Sequence, residues 1–116
     1  MAAASPSAAW AVGYTGSIYA TTDAGATWTS QTSGTTYNLW GVDFPTATNG
    51  WAVGESGAIL GTSTGGTTWT PQTSGILSAL YAVDFVDASY GWAGGASGVI
   101  RFTPDGGATW QAETSG

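Results

Sequence analysis

An all-β fold, a β-propeller of four-stranded antiparallel blades, is predicted by three observations. Trp10, Trp51 and Trp92 recur every 41 residues, as do Trp28, Trp69 and Trp110. The copies are rich in Gly, Thr, Ser, Trp and Val and poor in Leu, Glu, Lys and Arg, which favours strands and turns over helices. Each copy divides into four short strand-like runs separated by turn signals, and four strands per repeat make one blade.

The copies align without a gap. Trp10-Ala-Val-Gly13 answers to Trp51-Ala-Val-Gly54 and Trp92-Ala-Gly-Gly95, and each copy ends in Thr-Ser-Gly at residues 32–34, 73–75 and 114–116. In the middle copy the four runs are 39–44, 50–54, 58–62 and 68–72. Alternation in the first of these sends Leu39, Gly41 and Asp43 to one face and Trp40, Val42 and Phe44 to the other. Tyr14-Thr-Gly16, Glu55-Ser-Gly57 and Ala96-Ser-Gly98 join the second and third runs, each ending in the Gly that a hairpin with positive φ favours.

The turns at 21–28, 62–69 and 103–110 each end in Thr-Trp, and the outer two carry Asp23 and Asp105. An Asp there folds its carboxylate back onto backbone N–H groups, Gly takes the left-handed position, and Trp packs beneath. These turns resemble the Asp-box, or bacterial neuraminidase repeat, in Asp23, Gly25 and Trp28, in Gly66 and Trp69, and in Asp105, Gly107 and Trp110. With the flanking Gly-Trp-Ala-Val-Gly and Leu-x-x-Val-x-Phe phrases, residues 9–116 are similar to the photosystem II assembly/stability factor-like propellers. The resemblance implies that the Asp-box links the third and fourth strands, that the Leu-x-x-Val-x-Phe strand lies innermost, and that the box is structural. Thr64 stands in the Asp position of the middle copy, so a weaker brace is expected there. The arginine cluster of sialidases and the basic patch by which the assembly factors engage a photosystem subunit are both absent.

The 41-residue period divides the chain into about 2.8 blades. The division reads as a leader at 1–8, an incomplete blade at 10–34 lacking its innermost strand, and blades at 35–75 and 76–116. Trp10, Trp51, Trp92, Ile18, Ile59 and Ile100 are the expected inter-blade core. So short an array leaves blade faces uncovered, which predicts self-association into a ring or by strand addition.

Net charge is −6, with Arg101 the one basic residue and neither His nor Cys present. That balance speaks against nucleic-acid binding, and no apolar run is long enough for a membrane span. The first residues lack the basic and apolar regions of a signal peptide, and compartment stays open. No catalytic residue, metal site or cofactor is expected, and the chain does not read as an enzyme. Asp43 and Asp84 read as acceptors for neighbouring backbone. Positions that vary between copies or flank the inner strand, Tyr14, Glu55, Asn38, Trp40, Tyr81 and Arg101, are the candidate ligand-facing residues. The function expected is a self-associating scaffold that binds itself and other proteins. The alternative is a lectin-like module presenting aromatic faces to glycans.

Overall fold

The computed structural model describes residues 2–113. Its twelve strands form three antiparallel sheets. β1 (Ala2–Ala3), β2 (Ala9–Val12), β3 (Ile18–Thr21) and β4 (Thr29–Gln31) make the first, in that order. β5 (Leu39–Asp43), β6 (Gly50–Gly54), β7 (Ile59–Thr62) and β8 (Thr70–Gln72) make the second. β9 (Leu80–Phe85), β10 (Gly91–Gly95), β11 (Ile100–Thr103) and β12 (Gln111–Glu113) make the third. Each sheet is a blade, with strands laid in chain order from the inner strand outward.

The expected leader is part of the first blade. Ala2 and Ala3 pair with Trp10 and Ala9 as an innermost strand of two residues. Residues 4–8 form the following turn, tied by the Ala4 and Ala24 N–H groups donating to the Ala8 and Ser7 carbonyls. An alanine strand carries no alternation to read, but backbone pairing does not require side chains. Blade one is therefore four-stranded, with its inner edge covered only over Ala9 and Trp10.

The hairpin between second and third strands uses two successive left-handed residues, such as Ser56 (φ 59°) and Gly57 (φ 73°), which matches the right-handed twist of the flanking strands. Gly57 has a second constraint, since a Cβ there would strike the Ile76 carbonyl. On the inner strand the expected alternation breaks. A register shift between Leu39 and Gly41 leaves Trp40 as the extra residue of a β-bulge. Leu39 therefore joins Val42 and Phe44 in the core, while Trp40 turns outward.

Two cores lie between the three blades. The first joins Trp10 and Ile18 of blade one to Phe44, Leu60 and Trp69 of blade two. The second joins Trp51 and Ile59 of blade two to Phe85 and Trp110 of blade three. Trp92 and Ile100 correct the expectation for the same columns. Trp92 is 41% exposed, where Trp10 and Trp51 are each 3% exposed, because among the described residues no blade packs on that face of the third. Ile100 is only partly buried.

Candidate functional site

The blade contact is built from a repeated set of bonds. Trp10 stacks on Phe44 with ring centroids 3.6 Å apart, and Trp51 stacks on Phe85 at the same distance. Trp69 and Trp110 meet those phenyl rings edge-on. The indole N–H of Trp10 donates to the Gly65 carbonyl at 3.1 Å, and that of Trp51 to the Gly106 carbonyl at 3.0 Å. Gln31 and Gln72 close each circuit. Their amide nitrogens donate to the same two carbonyls, and their amide oxygens accept from Trp69 and Trp110. Sequence reading passed over these glutamines, although their shared column three residues after Trp28 and Trp69 was the available signal.

The Asp-box turns hold the receiving carbonyls in place. Asp23 accepts from the Thr21 hydroxyl at 2.7 Å, from the Thr27 N–H at 2.9 Å and from the Thr27 hydroxyl. The Thr27 hydroxyl and N–H, followed by Thr21, hold the Asp23 pKa at about 2, against an ordinary 3.8. Asp105 repeats the arrangement with Thr103 and Thr109, and its pKa is lowered first by the Thr109 N–H. In the middle turn the Thr64 hydroxyl accepts the Thr68 N–H at 3.0 Å, without a charge or a second carboxylate oxygen. Gly25, Gly66 and Gly107 are left-handed in all three turns. Trp28 is 41% exposed on the outer face of blade one.

The candidate ligand-facing residues separate into two groups. Tyr14, Trp40 and Tyr81 form one row across the three blades. Tyr14 meets Trp40 edge-on at 5.8 Å, Trp40 lies 6.5 Å from Tyr81, and all three rings are exposed. Asn38 and Glu55 stand behind the row as its frame. The Asn38 side-chain oxygen accepts the Thr15 N–H at 2.8 Å, and Glu55 accepts the Asn38 N–H at 2.6 Å. Arg101 is elsewhere, between blades two and three, donating to the Ser74 carbonyl.

Asp43 lies on the inner strand and accepts the Phe85 N–H across the blade boundary at 2.7 Å. Burial pushes its carboxyl pKa up against that hydrogen bond, helped by the neighbouring Asp84 charge. Asp84 makes no side-chain hydrogen bond among the described residues, so the expected backbone contact is seen at Asp43 alone. No group of three or more His, Cys, Asp or Glu among the described residues could hold a metal ion. No helix is long and apolar enough to cross a membrane among the described residues.

Solved structures place this geometry among known proteins. A structure of YCF48 bound to D1 peptide is 26% identical and superposes with a TM-score of 0.84, covering 96% of this chain and 37% of that one. YCF48 from Cyanidioschyzon merolae is 25% identical with a TM-score of 0.79, covering 94% of this chain and 36% of that one. The chain thus spans little more than a third of the length of either. No curated protein matches. The family described as photosynthesis system II assembly factor YCF48 matches residues 1–61, more than half the chain. Trp-stacked four-stranded blades, Asp-box turns and this match agree: the chain belongs to the YCF48 family.

Proposed function

We propose that the chain is a non-catalytic protein-interaction module that self-associates to extend its array of blades and binds a peptide segment along Tyr14, Trp40 and Tyr81. The observation that carries the binding reading is the exposed row itself. Three aromatic rings from three blades lie in succession, and Trp40 is turned outward by a bulge. Rigid aromatic side chains give large contact area at low entropic cost, the usual make-up of a binding hot spot. A peptide ligand is supported by the similar structure of YCF48 bound to D1 peptide. The net charge of −6 favours a segment that is apolar with basic flanks.

An array of overlapping D1 segments, probed with the chain and with a Trp40→Ala/Tyr81→Ala variant, tests the reading. Binding that weakens by at least about tenfold in the variant is expected. No binding by the chain, or equal binding by both proteins, overturns it. The same aromatic row is what a lectin would present to sugar rings. Glycan-array binding lost in that variant would select the carbohydrate reading instead.

A further inference from the structure

We propose that blade two carries a second binding site, a cleft that holds a neutral hexopyranose, the ring form of a hexose. The cleft measures about 340 Å³ and lies at the junction of blades two and three. Asn49, Gly61, Ser63 and Thr70 line it from blade two, and Ala88 and Gly106 from blade three. Both blades of the junction are present, so the cleft owes nothing to where the chain begins or ends. It is also apart from the aromatic row and independent of the peptide reading above. The row lies by the hairpin of Tyr14 and the start of the inner strands. The cleft lies at the other ends of the strands, beside the loop entering β6 and the turn leaving β7.

The cleft exists because blade two departs from its neighbours in two columns of the repeat. Across the ladder of second and third strands, Trp10 pairs with Ala20, Trp51 with Gly61 and Trp92 with Phe102. Two residues before those tryptophans stand Ala8, Asn49 and Tyr90. In blade three both columns are filled by rings, with Tyr90 stacked on Phe102 at 6.4 Å. In blade two the glycine takes the side chain from the floor and lets Gln72 lie against it, since a Cβ on Gly61 would meet the Gln72 amide nitrogen at 2.5 Å. Asn49 brings an amide to the rim. The columns that hold two rings in blade three thus hold an opening with polar walls in blade two.

The lining selects the ligand class. The Thr62 and Thr68 hydroxyls are engaged within the middle turn, with the Gly66 N–H and the Thr64 hydroxyl. The Asn49 amide nitrogen donates to the Thr46 and Thr48 hydroxyls, which leaves its oxygen free. That oxygen and the Ser63 and Thr70 hydroxyls make no hydrogen bond among the described residues and are open to a ligand. A hydroxyl both donates and accepts, so these groups match a molecule that is itself dense in hydroxyls. Among the described residues no charged side chain lines the cleft. Thr64 also withholds from the adjoining turn the carboxylate that Asp23 and Asp105 supply in the others. A phosphate or carboxylate therefore finds no cation here, and an ammonium group no anion. Trp51 is part of the wall but only 3% exposed, which denies a nucleobase or aromatic side chain a face to stack on. A pyranose suits what remains, with hydroxyls for Asn49, Ser63 and Thr70 and C–H groups for Gly61 and Ala88.

Amide NMR of the labelled full chain, titrated with D-glucose, D-galactose and D-mannose and with their methyl glycosides, tests the site. At least one sugar should give saturable shifts at the amides of Gly61, Ser63, Thr70 and Gly106. Ser63→Ala/Thr70→Ala removes two exposed hydroxyls and should weaken binding by about fivefold or more, with the remaining amide spectrum unchanged. Trp40→Ala/Tyr81→Ala should bind the sugar as the parent does, so failure of the peptide site and failure of this one are read apart. Binding of a methyl glycoside assigns the cleft to the end of a glycan, and binding of the free sugar alone assigns it to a free hexose. The proposal is overturned if no sugar gives saturable shifts, if glycerol gives the same response, or if the Ser63→Ala/Thr70→Ala variant binds equally. Shifts that gather instead at Tyr14, Trp40 and Tyr81 overturn it as well.

Discussion

Carboxylates that fold back on their own turns make acid the natural probe of single residues. Asp23 titrates near 2 when folded, against 3.8 ordinarily, and Asp105 and Asp87 are shifted the same way by N–H donors. A carboxylate with a lowered folded pKa stabilises fully above its unfolded value and loses that contribution as pH falls toward the folded one. The thermal midpoint should therefore fall as pH is lowered from about 5 to about 2. Scanning calorimetry on an Asp23→Asn/Asp105→Asn variant should show a shallower fall. Asp43 has the opposite sign, because burial raises its pKa and its contribution declines as pH rises through that value. Asp43→Asn keeps an acceptor for the Phe85 N–H and sheds the charge, so its midpoint at neutral pH should equal or exceed the parent's. Thr64→Asp restores the carboxylate of the middle turn and should raise the midpoint by a few degrees. The turns were legible because each carries its own instructions within eight residues. Gln31 and Gln72 were not, since their partners lie 34 and 38 residues away on the next blade.

Between elements, stability depends on the stacked pairs. Phe85 lies against Trp51 at 3.6 Å and against Trp110 edge-on, and it is 5% exposed. Truncating it removes both contacts and leaves a ring-sized void. Phe85→Ala should cost about 3–5 kcal/mol in urea unfolding. A loss below about 1 kcal/mol would show that the blades do not depend on this stack. The four-strand blade could be read from period and turns, and the innermost place of β5 and β9 from the family resemblance. The bulge at Trp40 could not, because it arises from the pairing of β5 with β6 and not from the pattern of β5. β1 escaped the same reading because Ala2 and Ala3 resemble a leader until their register with Trp10 and Ala9 is seen.

At the scale of the whole chain, the middle blade has neighbours on both faces and the outer blades on one each. Every residue of β6 and β7 is buried, whereas β2 and β11 are mostly half-exposed. In a linear array, opening begins where neighbours are missing. In dissociated chains, hydrogen exchange should protect the amides of residues 50–54 and 59–62 longest, with residues 9–12 and 100–103 exchanging earlier. Equal protection across the three blades would contradict this. Repulsion between copies that each carry −6 should weaken association at low salt, so added salt should promote it.

The indole-to-carbonyl bond between Trp51 and Gly106 gives each blade a sense of direction, with a donor on one side and an acceptor on the other. An array with such polarity grows only by whole units. Duplicating 41 codons in frame adds one donor, one acceptor and one glutamine clasp, and leaves every existing junction unchanged. An insertion of one residue within a strand would instead turn its tryptophan away from the receiving carbonyl. Blade number can therefore drift during descent while the junction chemistry stays fixed.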